Sequence, residues 1–209
     1  MPAPERSVMS QRSRWVHFGL KVGFAGLVGM AFWLLPYPNL AQSPKLTPAL
    51  QTYFDHLELG QESLTLRDYP AAIAAFTQAI KVQPQRFEAY YQRAQAYSFL
   101  QNDTAALSDV AQAIQLNPQY APAYTLRGSL HFRRRQLEPA LADLNQSLTL
   151  DSQQPAAYGL RGTIKREMRD IPGAIQDFQQ GMAIAQTRKQ FSLYKALERE
   201  LERTQPMPR

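Results

Sequence analysis

Shifted by 34 residues, this chain lies on itself. Tyr90, Tyr124 and Tyr158 fall in one column, and Arg93, Arg127 and Arg161 in a second. Ala72, Ala106, Ala140 and Ala174 fill a third, and Phe76, Val110, Leu144 and Phe178 a fourth. Pro84 and Pro118 align, although the next two places in their column hold Ser152 and Gln186. Four units therefore run from about Tyr53 to Arg188, near 53–86, 87–120, 121–154 and 155–188. A fixed period of this length requires a stacked architecture, because one such unit cannot bury its own apolar face.

Within each unit, apolar and small residues recur at steps of three and four, as in Ala105, Ala106, Val110, Ala113 and Ile114. That is one face of a helix and not the alternation of a strand. The spacing predicts a first helix ending near Phe99 or Phe132 and a second from Ala105 or Pro139 to Leu116 or Leu150. Polar breaks separate them: Arg67-Asp68-Tyr69-Pro70, Gln101-Asn102-Asp103 and Arg169-Asp170-Ile171-Pro172. Asp is a good N-cap, and Pro is tolerated in a first turn where its missing N–H costs nothing. The unit is helix–turn–helix.

These columns resemble the tetratricopeptide repeat. That family places an aromatic at repeat position 4, Leu-Gly at 7 and 8, Tyr at 11, Ala at 20, Phe at 24, Ala at 27 and Pro at 32. The first unit supplies His56, Leu59-Gly60, Ser63, Ala72, Phe76, Ala79 and Pro84. The second supplies Tyr90, Arg93-Ala94, Tyr97, Ala106, Val110, Ala113 and Pro118. The third reads Tyr124, Arg127-Gly128, His131, Ala140, Leu144, Ser147 and Ser152; the fourth reads Tyr158, Arg161-Gly162, Lys165, Ala174, Phe178 and Gly181. The resemblance implies an all-α, right-handed superhelix over residues 49–203. It would comprise four repeats and a C-terminal solvating helix over 189–203, whose stripe is Phe191, Tyr194, Leu197 and Leu201. A terminal unit with a polar outer face is what a stacked array needs at its end.

One column departs from the family. Where Leu is usual, three units carry Arg, and position 23 changes with it: Leu59 goes with Ala75, whereas Arg93, Arg127 and Arg161 go with Asp109, Asp143 and Asp177. The planar fork of a guanidinium matches a carboxylate, so these residues are expected to form structural ion pairs, within a unit or between neighbours.

The family lines a concave groove with its first helices. On this chain that implies a partner-binding surface of Tyr91, Gln95, Phe99, Thr125, Ser129, Phe132, Arg133, Thr163 and Arg166, with Ser98 and Glu167 beside it. Such a polar surface suits a peptide segment or a helix of a partner protein. The carboxylate clamp of chaperone-binding relatives is not matched. Leu57 and Gln61 stand where Lys and Asn are expected, and Pro122 and Leu126 stand where later basic residues are expected.

The chain's beginning is a different material. A basic segment, 1–14, leads into Val22–Leu35, which holds no charge. Extended back to Trp15, the stretch 15–35 gives about 31 Å of helix, against a hydrocarbon core of about 30 Å. Lys21 is placed to snorkel, and Trp15, Trp33 and Tyr37 suit the interfaces. This predicts an N-terminal transmembrane signal anchor in contact with the lipid bilayer. A Pro-rich spacer, 36–48, follows it, and a short tail, 204–209, ends the chain. The competing expectation is a cleaved signal peptide, cut after Ala41, that would release a secreted or periplasmic adaptor. Arg6, Arg12, Arg14 and Lys21 precede the apolar run and only Lys45 soon follows it. The positive-inside rule then puts the N-terminus in the cytoplasm and the repeats on the periplasmic or lumenal side. Few charges carry that assignment, so repeats on the cytoplasmic side stay the alternative.

The formal net charge of +6 is not spread evenly. Residues 1–45 carry +4, 188–209 carry +3 and 46–187 carry −1. The repeats are neutral, which points away from nucleic acid and toward anionic lipid at the flanks. Without any Cys there is no disulfide, thiolate metal site or cysteine nucleophile. The three His are scattered, and neither a metal-ligand spacing nor a glycine-rich phosphate cradle is present. No catalytic residue, metal or cofactor is expected. Small anchored proteins built this way resemble bacterial, particularly cyanobacterial, photosystem assembly factors. The expectation is a membrane-anchored scaffold that serves the assembly or maintenance of a membrane protein complex.

Overall fold

A computed structural model describes residues 47–205. The expected transmembrane helix, the basic segment before it, spacer residues 36–46 and the last four residues lie outside the described residues. No strand occurs among those described, and none of their helices is long and apolar enough to cross a membrane. Among the described residues nine helices follow one another: α1 (Pro48–Thr65), α2 (Tyr69–Val82), α3 (Phe87–Phe99), α4 (Asp103–Leu116), α5 (Ala121–Arg133), α6 (Leu137–Leu150), α7 (Pro155–Glu167), α8 (Ile171–Thr187) and α9 (Phe191–Thr204).

The helices begin about two residues before the apolar spacing does. α4 opens at Asp103, not Ala105, because Asn102 accepts from Ala105 N at 3.2 Å and so caps the helix. Asp68 and Asp170 act alike on Ala71 and Gly173. α6 opens at Leu137 with Pro139 in its first turn, where an absent N–H leaves no bond unmade.

Helices α1, α3, α5 and α7 end on one backbone device. At α1 the Arg67 N–H reaches Leu64 O and the Asp68 N–H reaches Ser63 O, with Arg67 at φ 61°. Gln101, Arg135 and Arg169 repeat that left-handed geometry after α3, α5 and α7, and Lys189 does so after α8. This paired closure satisfies the orphan carbonyls of the last turn and reverses the chain sharply enough to pack the next helix against the one just ended. The sites hold Arg, Gln or Lys where glycine would adopt the conformation more freely.

No hairpin closes its own core. Ala94, Ala106 and Val110 of the second unit are buried together with Ala123 and Leu130 of α5. Ala140 and Leu144 are buried with Ala157 and Ile164 of α7. At the end of the array, Ala174 and Phe178 are covered by Leu197 of α9. Leu197 sits over two glycines: a Cβ at Gly159 would come 2.5 Å from its Cδ2, and one at Gly181 would come 3.0 Å from its Cδ1. Of the expected stripe on this helix, Leu197 is buried and Leu201 packs on the core, whereas Phe191 stays 68% exposed.

Odd helices touch the next odd helix, while no two even helices touch among the described residues. In a curved stack the rank whose members meet is the inner one, so the odd helices line the concave side.

Volume is traded between two columns inside each hairpin. Gly60 faces Phe76, Gly128 faces Leu144 and Gly162 faces Phe178, whereas unit two has Ala94 with the smaller Val110. A Cβ at Gly60 would lie 2.7 Å from Phe76 Cζ, inside contact distance. Gly60→Ala is therefore expected to cost about 1–3 kcal/mol through overpacking. Adding Phe76→Val should recover part of that loss, a positive coupling in a urea-unfolding double-mutant cycle. Strict additivity would mean that the two sites do not share this contact.

Candidate functional site

Three stripes of each odd helix have different neighbours. On α5, Tyr124, Arg127, Gly128 and His131 face α6, and Ala123 and Leu130 face the preceding unit. The remaining stripe looks toward the concave side. The same assignment holds for α3 and α7.

The stripe facing the even helices carries the ion pairs. Arg93 Nε and Nη2 each donate to Asp109 at 2.7 Å. Arg127 donates to Asp143 at 2.9 and 2.6 Å, and Arg161 to Asp177 at 2.9 and 2.7 Å. All three pairs form within a unit, and all three carboxylates are buried. A tyrosine lies beside each guanidinium: the Arg–ring distances are 6.0 Å for Tyr90, 5.4 Å for Tyr124 and 5.4 Å for Tyr158. The bond to Asp109 holds the Arg93 guanidinium above its already high range against the opposing effect of burial, and Asp143 does the same for Arg127. The pairs fix register more than they add stability, since desolvation offsets much of a buried pair's attraction, but losing one partner would strand a charge.

A link between units is absent from the sequence reading. Arg93 Nη1 donates at 2.9 Å to Thr77, and Arg161 Nη1 donates at 2.8 Å to Asn145; each acceptor belongs to the preceding even helix. In the second unit that column holds Ala111, and Arg127 is correspondingly more exposed, at 28% against 17% and 18% for the other two side chains. The signal was available as a column reading Thr77, Ala111, Asn145, but only the fold puts it beside the next unit's arginine.

The residues expected to line the groove divide into three groups. Tyr91, Thr125, Phe132 and Arg166 lie in the seam with the following unit. Tyr91 meets Tyr120 edge-on at 5.0 Å, and burial with help from that ring pushes its phenol up to about 12, against the bond from Gln95. The Thr125 hydroxyl lies 2.7 Å from Ser147 Oγ and 3.2 Å from Gln154 Oε1, inside a polar cluster that Ser147 completes by donating to Ala121 O. Phe132 packs on the third core. Arg166 pairs with Glu200 of α9 at 2.7 Å.

Phe99 and Arg133 tie back to the preceding unit along the edge formed by the hairpin turns. Phe99 stacks on Tyr69 at 5.0 Å, and Arg133 pairs with Asp103 and donates to Ser98 O at 3.0 Å. Gln95, Ser129 and Thr163 form the third group, on the open stripe, where Gln61 of α1 extends the row. Gln95 Nε2 donates to Tyr91 at 3.1 Å, and Thr163 donates to its own helix at Gly159 O. One small or amide side chain per unit therefore faces the concave side, and none of the four is charged. Arg133-Arg134-Arg135, the basic cluster of the repeats, points along the turn edge and not into this row, with Arg135 reaching Glu167 at 3.1 Å.

No group of three or more potential metal ligands is found among the described residues. His131 sits apart from other imidazoles, with Nδ1 2.8 Å from Gln136 Oε1 and Nε2 3.8 Å from Asp143.

Residues 57–121 match the family model of the tetratricopeptide repeat. Among solved structures, the chain is similar to the first such domain of Spaghetti (RPAP3) bound to the HSP90 peptide SRMEEVD. The two are 28% identical with a TM-score of 0.55, over 57% of this chain and 94% of that one. The first domain of human RPAP3 gives 27% identity and a TM-score of 0.55 over the same shares. MamA gives a TM-score of 0.58 over 74% of this chain and 90% of that one, and at 18% identity the likeness is of fold alone. No curated protein matches the sequence. These matches indicate no catalytic family.

The absent link in the second unit is testable. Ala111→Asn would supply Arg127 with the acceptor that Thr77 and Asn145 supply elsewhere. The variant should unfold later by about 0.5–1.5 kcal/mol in urea, the usual net worth of one hydrogen bond. An unchanged or lowered midpoint would show that the bonds to Thr77 and Asn145 do not couple units.

Proposed function

We propose that this chain, which carries the tetratricopeptide repeat, is a membrane-anchored protein–protein interaction scaffold that serves the assembly or maintenance of a membrane protein complex. The observation that carries the interaction role is the concave row of Gln61, Gln95, Ser129 and Thr163. It offers hydrogen bonding without charge, backed by a rank of helices that the ion pairs and inter-unit seams hold rigid. A preformed surface of this kind binds an extended segment or a helix without first having to be ordered.

The relative bound to an HSP90 peptide takes a ligand that is strongly acidic near its end, SRMEEVD. This chain has Leu57, which is buried, and Gln61 where a cationic clamp would begin, and its row is neutral. A buried apolar side chain cannot replace a cation that grips a carboxylate. The partner of this chain is accordingly a segment with little net charge. The anchored state is supported by the uncharged stretch 22–35 and by the basic residues before it. The short spacer that follows would keep the row near the bilayer, where a membrane-bound partner is within reach.

Photo-crosslinkers at Ser129 and, as control, at Gln146 on α6 test this in membranes that contain the full chain. A membrane-protein adduct should form from Ser129 and be lost at least about tenfold when Thr163→Arg fills the row, with the unfolding midpoint unchanged. Equal adducts from both positions, or insensitivity to Thr163→Arg, would refute the docking row. A mature N-terminus near Gln42 in a carbonate-soluble chain would refute the anchor.

A further inference from the structure

The three Tyr–Arg–Asp clusters differ at one further position, seven residues after the tyrosine. Unit two has Tyr97 there, unit three His131 and unit four Lys165. In unit two a single cation, Arg93, meets a single anion, Asp109, and the charges balance. Unit three adds a histidine 3.8 Å from Asp143. In unit four, Lys165 Nζ lies 2.8 Å from Asp177 Oδ2 while Arg161 already grips the same carboxylate. Two cations share one carboxylate that is 98% buried, and both are largely withdrawn from water, at 18% and 23% side-chain exposure. The other side chains beside them are uncharged: Tyr158, Asn145, Gln176 and Gln180. Among the described residues, one unit of positive charge is left without a counter-charge in a place where solvent screens it poorly.

A cavity of about 270 Å³ opens at this spot, lined by Tyr158, Arg161, Lys165, Gln176, Asp177 and Gln180. We propose that it is a binding site for a single anionic group, a carboxylate or a phosphate, held by Lys165 and Arg161 and oriented by the amides of Gln176 and Gln180. The surplus charge supplies the attraction, and the amides and the Tyr158 hydroxyl supply donors around it. Asp177 makes no demand on the ligand because both its oxygens already accept from the two cations. The site lies on the stripe of α7 that faces α8, away from the concave row, so it is a second point of contact and does not depend on the scaffold reading.

Inorganic phosphate and acetate are the probes, added to the purified full chain in detergent with chloride adjusted to constant ionic strength. The unfolding midpoint should rise saturably by a few degrees up to about 20 mM anion, because a ligand of the folded state alone stabilises it by mass action. Lys165→Tyr, which copies unit two, should abolish the rise. Lys165→Arg and Lys81→Gln, the latter on exposed surface, should keep it. A response to phosphate alone would identify a phosphate-bearing ligand, a response to acetate alone a carboxylate such as an acidic side chain, and a response to both a site that accepts either group. The proposal fails if neither anion shifts the midpoint of the parent chain, or if Lys165→Tyr and, as second variant, Lys165→Gln respond like the parent.

Discussion

Every unit of this array depends on its successor to keep water from its core. The hairpin brings two amphipathic helices together, but their combined apolar face remains open until the next odd helix covers it. Ala123 and Leu130 close the second unit, Ala157 and Ile164 the third, and Leu197 the fourth. Burial therefore runs in one direction along the chain, and the last helix must be able to cover without needing cover. α9 meets that condition by presenting Leu197, Leu193 and Leu201 inward while Lys195, Arg199 and Glu202 face water.

Close approach is the second requirement, and small residues meet it. Glycine at 60, 128 and 162 makes room for Phe76, Leu144 and Phe178, and alanine at 94 suffices over Val110. With the backbones this near, a half-buried arginine at the adjacent position can reach the opposite helix with its whole fork. The Arg–Asp pairs are thus a consequence of tight packing. They act as register pins, because a slip of one residue between the helices of a hairpin would strand its buried carboxylate in low dielectric. The tyrosines alongside cover the guanidinium faces, and Thr77 and Asn145 extend the pinning from one hairpin to the next.

Rigidity of this kind shapes the functional surface by subtraction. A first helix has enough circumference for three neighbours, and two of them are always other helices. Tyr91, Thr125, Phe132 and Arg166 are consumed in the seam with the following unit, and Phe99 and Arg133 in the edge with the preceding one. What is left is narrow and uncharged. The largest unbalanced charge among the repeat clusters lies elsewhere, between α7 and α8, where Lys165 doubles the cations on Asp177.

The sequence by itself determined the period, the two helices per unit, their turns and the partnership of Arg with Asp. Each of these is local or repeats at a fixed interval, so a column of aligned residues reveals it. It did not determine which unit an arginine's third bond would reach, nor which of the candidate groove residues would stay open. Those depend on how far successive hairpins rotate against each other. That angle is an outcome of side chains interlocking across the seams, and a change of a few degrees moves a residue such as Tyr91 from the groove into a wall. Only the tertiary structure decided it, because the neighbours that settle a side chain's fate lie 16 to 38 residues away along the chain.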